Sequence, residues 1–262
     1  MSTFKTKKQL GQNFLNDSFV IEAIADAAAG AGDTVLEIGP GLGVVTEQLA
    51  ERAEKVYAVE IDDDLIPILR TRLFAHKNVE IIHSDIIKTD INKILEGAPN
   101  SRKIVGNLPY YITTPILMKL IEDNVSCDAI VVMVQKEVAQ KIMAAPGSSD
   151  YGVLGAILQY YCSVETVIEA PSECFDPRPK VDSEVIKLTP KRSFADSEKY
   201  TAFVKACFTQ RRKTAANGLA GYKGLTKEGV SAALASLGHP ASLRAETLSP
   251  EQFEELRKEL FD

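Results

Sequence analysis

The run Thr34-Val35-Leu36-Glu37-Ile38 enters the turn Gly39-Pro40-Gly41-Leu42-Gly43, and a helical pattern over residues 44–53 follows. A buried strand that turns tightly into a helix is the opening unit of a parallel, doubly wound sheet. The chain then repeats this unit. Lys55–Glu60, Val79–His83, 103–106 and 128–135 read as further strands. Helical patterns over 62–75, 90–96, Thr113–Glu122, 136–144 and 151–161 alternate with them or follow. Asn16-Asp17-Ser18 starts one more helix ahead of the first strand. Residues 164–170 and 184–188 alternate like the arms of a terminal antiparallel pair. The stretches 146–150 and 171–179 are the expected mobile loops. After Pro190 only helical patterns remain, over 197–209, 214–220, 226–237 and 250–260. In the last of these, Ser249-Pro250-Glu251-Gln252 forms a capping box with Pro at the first helical position. The expectation is an α/β domain over residues 1–190 with a basic N-terminal arm, then a small all-α domain over 191–262.

Composition excludes several classes. The chain has 262 residues and is 45% hydrophobic, enough for one sizeable core and a smaller second unit. No apolar run reaches the ~18 residues of a membrane span, and the polar, basic start is not expected to be a secretory signal. Cys127, Cys162, Cys174 and Cys207 lie far apart, so neither zinc nor a disulfide framework is expected. Free thiols fit a reducing cytoplasm. His76, His83 and His239 are scattered, and no metal site is expected. The net charge is −6 and the pI about 5.3, unlike a general nucleic-acid coating protein. Positive charge is nevertheless clustered at Lys5, Lys7 and Lys8, at Arg178 and Lys180, at Lys191 and Arg192, and at Arg211, Arg212 and Lys213. Such clusters are either solvated faces or phosphate contacts that position a folded RNA.

Ligands of doubly wound sheets bind beyond the C-terminal ends of the strands. The chemistry-bearing residues fall there: Gly39, Gly41 and Gly43 after the first strand, Glu60 ending the second, Asp85 after the third and Asn107 after the fourth. The turn spaces its glycines G-x-G-x-G, carries no lysine and lacks the Gly-Lys-Ser/Thr ending of a phosphate loop. This favours a cofactor with adenosine but no pyrophosphate. S-adenosylmethionine fits, with its ribose hydroxyls on Glu60, its adenine near Asp85 and its methionine end near Gly39 and Asn107.

Asn107-Leu108-Pro109-Tyr110 suits methylation of an amino group on a flat, conjugated ring. The N6 lone pair of adenine is delocalised into its ring and is a poor nucleophile. Two acceptors, the Asn side-chain carbonyl and a backbone carbonyl near the Pro, can draw that nitrogen toward tetrahedral geometry in the transition state. The Tyr110 ring offers a stacking face, worth ~1–3 kcal/mol for a base on an aromatic.

With these residues the chain resembles the ribosomal RNA adenine N6,N6-dimethyltransferases of the KsgA type. The likeness runs along essentially the whole chain. It rests on Lys8-Gln9-Leu10-Gly11-Gln12-Asn13-Phe14-Leu15, on the glycine turn, on Asn107-Leu108-Pro109-Tyr110-Tyr111, and on Phe175-Asp176-Pro177-Arg178-Pro179-Lys180-Val181-Asp182-Ser183. The resemblance implies a Rossmann-like class I methyltransferase fold with a helical RNA-docking domain. It implies S-adenosylmethionine contacts at Asn13, Leu15, Gly39, Glu60, Asp85 and Asn107, and an adenine held by Asn107 and Tyr110. Phe175 is the second implied stacking face, although an aromatic in a Pro-rich loop is more often a loop anchor. The implied reaction is dimethylation of two adjacent adenosines in a hairpin near the 3′ end of 16S rRNA, in the immature 30S subunit. Flipping a base out for such chemistry is least costly in a loop. Nothing in the sequence demands more than a monomer. The alternatives are a 23S rRNA adenine methyltransferase of the macrolide-resistance type and a non-catalytic ribosome-assembly factor.

Overall fold

The computed structural model describes residues 11–98, 100–195, 197–210 and 213–262. Lys5, Lys7, Lys8, Arg211 and Arg212 of the basic clusters lie outside the described residues. The chain divides into two compact units, Met1–Ala139 with Val164–Pro190, and Gln140–Ser163 with Lys191–Asp262. The second unit therefore takes in a segment from the middle of the chain besides residues 191–262.

The first unit begins with a two-residue strand, β1 (Phe14–Leu15), and helix α1 (Ser18–Ala28). The Asp17 carboxylate accepts the Val20 N–H at 3.0 Å, which caps α1 where the Asn16-Asp17-Ser18 pattern predicts. Then come β2 (Thr34–Ile38), α2 (Val44–Arg52), β3 (Lys55–Glu60), α3 (Leu65–Arg72), β4 (Val79–His83), α4 (Ile91–Ile94), β5 (Arg102–Asn107), α5 (Thr113–Glu122), β6 (Ala129–Gln135) and α6 (Lys136–Met143). Helix α7 (Val153–Tyr161) precedes β7 (Cys162–Ala170), β8 (Phe175–Asp176) and β9 (Ser183–Pro190). Helix α3 is shorter than its pattern predicts. The Asp62 carboxylate accepts the Asp64 N–H at 3.1 Å, and the Asp62 carbonyl accepts the Leu65 N–H, so residues 62–64 form a turn instead.

Seven strands form one sheet in the order β4-β3-β2-β5-β6-β9-β7. Strands β2 to β6 are parallel, and β9 runs antiparallel to β6. All five residues of β2 and the first six of β6 are buried, as central parallel strands require. The chain moves outward from β2 to β4, then returns to build β5 and β6 on the other side. The order reverses between β2 and β5, and a crevice opens beyond the strand ends at such a switch point. Both Gly39 and Asn107 stand at that place. Among the described residues no helix is long and apolar enough to cross a membrane.

The second unit contains α7, α8 (Ser197–Cys207), α9 (Ala215–Leu219), α10 (Lys227–Ser236) and α11 (Pro250–Phe261). Its core is aromatic: Tyr151, Tyr200, Phe203 and Phe253 are fully buried. The Tyr160 and Tyr200 rings stack at 4.0 Å between centroids, and the Tyr200 hydroxyl donates to the Pro250 carbonyl at 2.9 Å. The capping box at Ser249 and Gln252 forms as the sequence predicts. Gly155 of α7 is a tight contact, because a Cβ there would lie 2.6 Å from the Lys141 carbonyl oxygen. Gly155→Ala is expected to cost ~1–3 kcal/mol of stability, the usual range for overpacking. Thermal melts check this, and an unchanged melting temperature would show that the contact yields freely.

Candidate active site

A cleft of about 300 Å³ opens at the switch point. Its wall is built from the ends of β2, β3 and β5, from the loop after β4, and from Gly11 to Leu15. The cleft gathers Asn13, Leu15, Gly39, Gly41, Glu60, Asp85, Asn107 and Tyr110, eight residues that the sequence singles out. Phe175 is not among the lining residues. It is buried, and packs in the core cluster with Leu15, Val20 and Cys174.

The glycine turn gives the cleft its floor. Gly41 has φ +60°, and a Cβ on it would meet the Phe14 ring at 3.2 Å. Only glycine satisfies both conditions comfortably. A Cβ on Gly39 would meet nothing within 4 Å, so the floor is open there toward a ligand. Glu60 ends β3 with its carboxylate fixed by three backbone donors: Gly41 N–H at 3.2 Å on Oε2, and Ile61 and Asp62 N–H at 2.9 Å on Oε1. Burial raises its pKa, the three donors oppose the rise, and the Asp62 charge adds to it. Asp85 accepts the Ile87 N–H at 3.0 Å through Oδ1 and lies 3.7 Å from Lys88 through Oδ2.

Glu37 is a feature the sequence gives no reason to expect. It is 3% exposed, and its Oε2 has no hydrogen-bond partner although the residue lines the cleft. Burial pushes its carboxyl up to about 7; the neighbouring Thr46 hydroxyl opposes this, and the Glu60 charge reinforces it. Among the described residues the cleft carries three carboxylates, from Glu37, Glu60 and Asp85, and no Lys, Arg or His. Such a surface repels a pyrophosphate and suits a cation with an adenosine body. S-adenosylmethionine, a sulfonium and ammonium ion, fits this donor set. Glu60 would hold the ribose hydroxyls and Asp85 the adenine amino group.

The Asn107 amide is oriented. Its Nδ2 donates to the Asn13 carbonyl at 3.3 Å, which leaves Oδ1 to accept from a ligand. The Pro109 carbonyl is engaged twice, by the Ile112 N–H at 3.1 Å and the Thr113 hydroxyl at 3.1 Å. The Tyr110 hydroxyl and Ser183 Oγ lie 3.0 Å apart. Burial raises the Tyr110 pKa above that of a free phenol, Ser183 opposes the rise, and Asp182 adds to it, so the ring stays neutral at physiological pH. Among the basic clusters, Arg178 bonds Ser172 and Glu173, while Lys191 and Arg192 lie 3.5 and 3.6 Å from Glu251. Arg192 also stacks over the Tyr160 ring at 4.0 Å. These cations have local partners as well as solvent.

Comparison with known proteins shows the family. The family model described as ribosomal RNA adenine dimethylase matches residues 3–260. The chain is 44% identical to the ribosomal RNA small subunit methyltransferase A of Alkaliphilus metalliredigens, over 98% of this chain and 92% of that protein. A dimethyladenosine transferase structure from Plasmodium falciparum superposes with a TM-score of 0.81 at 27% identity, covering 93% of this chain and 95% of that one. The structure of the 23S rRNA methyltransferase ErmE gives 0.70 at 31% identity, covering 95% and 100%. The chain belongs to the ribosomal RNA adenine dimethylase family and is an S-adenosylmethionine-dependent rRNA adenine dimethyltransferase.

Proposed function

We propose that this chain dimethylates N6 of two adjacent adenosines in a hairpin loop near the 3′ end of 16S rRNA, within the immature 30S subunit. The enzyme then acts in the cytoplasm as a monomer, in small-subunit biogenesis. The observation that carries the chemistry is the Asn107 amide, tied to the Asn13 carbonyl at the mouth of an acidic cleft. The choice of subunit is supported by relatives. The curated relative of Alkaliphilus metalliredigens, 44% identical, carries a small-subunit name, and the dimethyladenosine transferase structure superposes better than the 23S enzyme, with a TM-score of 0.81 against 0.70.

S-adenosylmethionine supplies an electrophilic methyl group. The chain's part is to make adenine N6 a nucleophile. Asn107 Oδ1 accepts one amino hydrogen. The Pro109 carbonyl is already engaged, which leaves the Leu108 carbonyl as the second acceptor. Together they favour the tetrahedral nitrogen of the transition state. Tyr110 stacks on the ring and, being neutral, is no base. The N6 proton leaves to water after transfer, when the nitrogen is positively charged and acidic. In the second transfer only one N–H remains, so one acceptor suffices. Phe175 would stack on the other face. It is buried before substrate enters, so its ring must be uncovered to reach the base. The helical domain over 191–262 and the basic loops dock the particle through phosphates.

Labelled S-adenosylmethionine with small-subunit particles lacking the modification, and 23S rRNA in parallel, tests the substrate. N6,N6-dimethyladenosine confined to the 16S hairpin is expected. Label in 23S rRNA alone would assign the large subunit instead, and particle binding without label would leave an assembly factor.

A further inference from the structure

Residues Gly11 to Leu15 line the cleft as a strap, and four contacts among the described residues tie it down. Phe14 packs its ring against Gly41 of the glycine turn. The Asn13 carbonyl holds the Asn107 amide. Strand β1 pairs with β8, setting Leu15 opposite Phe175. The fourth contact joins residues 50 positions apart: Gln12 Nε2 donates to Asp62 Oδ2 at 2.6 Å. Asp62 is 2% exposed, and its own N–H donates to the Glu60 carboxylate at 2.9 Å. One short chain of hydrogen bonds therefore leads from the strap, through Asp62, to the acid assigned to the ribose.

We propose that Gln12 and Asp62 form a latch that positions the strap for the reaction, retaining the cofactor and holding Asn13 where it orients Asn107. Neither residue touches the reacting atoms, so both are positioning residues. The donor must come from position 12 and the acceptor from position 62. An ionised Asp62 is an acceptor only, and Gln12 reaches it with an amide N–H. A hydrogen bond to a charged, buried acceptor is of the stronger kind. The other three contacts described are a ring contact, a backbone carbonyl and two residues of ladder. Losing the latch then loosens the strap without unfolding the sheet behind it. Cofactor affinity and turnover should fall together, because the same segment covers the cofactor and aims the Asn107 carbonyl. The proposal rests on the reading of the cleft as the S-adenosylmethionine site.

The test measures affinity for S-adenosylhomocysteine by calorimetry, and kcat on methyl-free small-subunit particles. It uses the wild-type chain, Gln12→Ala, Gln12→Glu, Asp62→Asn and the double variant Gln12→Glu/Asp62→Asn. Gln12→Ala is expected to weaken binding roughly tenfold, in keeping with a lost hydrogen bond to a charged group, and to lower kcat as well. Gln12→Glu sets two carboxylates face to face, so its affinity should fall further as pH rises through the carboxylate range. The double variant exchanges donor and acceptor. It should return affinity to within about threefold of wild type, most of a single hydrogen bond's contribution. Single variants that bind and turn over like wild type, or a double variant no better than its parents, would overturn the latch. A wild-type chain that binds no S-adenosylhomocysteine would instead remove the cofactor reading beneath it.

Discussion

Asn107→Ala is expected to lower methyl transfer by about 10²–10³-fold, the usual loss for one preorganised polar group in a reacting site, while cofactor affinity changes far less. The separation follows from where the amide sits. Its Nδ2 bonds the strap at Asn13, which leaves Oδ1 as the acceptor proposed for the adenine amino group. The proposed cofactor contacts are spread over Glu60, Asp85 and the glycine turn, so one lost contact weakens binding modestly. The acceptor acts most strongly on a nitrogen that is becoming tetrahedral, and its removal falls on kcat. Asn107→Asp should retain more activity than Asn107→Ala. It keeps an acceptor but sets a carboxylate against the Asn13 carbonyl, so the strap is disturbed. Single-turnover transfer from labelled S-adenosylmethionine to methyl-free small-subunit particles measures the step directly. Near-normal turnover by Asn107→Ala would mean that the adenine nitrogen is activated elsewhere.

Much of this site is legible in the sequence, because its residues lie at strand ends and strands announce themselves by local pattern. The run Thr34–Ile38 followed by three glycines could be little other than a strand turning into a helix. Glu60, Asp85 and Asn107 then fall at corresponding ends of parallel neighbours. Interactions that depend on distant chain meeting distant chain are not legible in this way. The β1–β8 pair is two residues long and joins Phe14 to Asp176, with no periodicity to betray it. The Gln12–Asp62 bond links two polar residues that, read singly, look like loop surface. Phe175 can be read from sequence either as a loop anchor or as a base platform. The structure buries it beside Leu15, and nothing local in a Pro-rich loop predicts that burial. Residues 140–163 join the second unit although in the chain they lie between strands β6 and β9 of the first. Their helical pattern states that they bury one face, not against what.

Glu37→Gln is expected to gain about 3 kcal/mol of stability relative to the wild-type chain between pH 4.5 and pH 8 in the cofactor-free protein, and to weaken S-adenosylmethionine binding at pH 8. Burial holds the Glu37 carboxyl near 7, well above its ordinary 4.5. An unfolded chain ionises this group near 4.5, and the folded chain does so only near 7. Below 4.5 both forms carry the proton, and the group costs nothing. Between 4.5 and 7 the unfolded chain has released its proton and the folded chain has not, so stability falls as pH rises. Above 7 the full cost stands, because an ionised Oε2 lies buried without a partner and beside Glu60. Glutamine removes the titration and with it the pH dependence. The melting-temperature advantage of Glu37→Gln should therefore be small at pH 4.5, grow toward pH 7 and level off beyond. Cofactor binding carries the opposite sign. A sulfonium and ammonium ion in the cleft favours the ionised carboxylate, so affinity should rise with pH through about 7 and a proton should be released on binding. Calorimetry in buffers of different ionisation enthalpy reads that proton, and Glu37→Gln should abolish it. A melting difference that stays flat from pH 5 to 8 would mean that Glu37 is already ionised in the folded chain. On the expected result, the carboxylate that makes the empty cleft costly is the one that makes it selective for a cation.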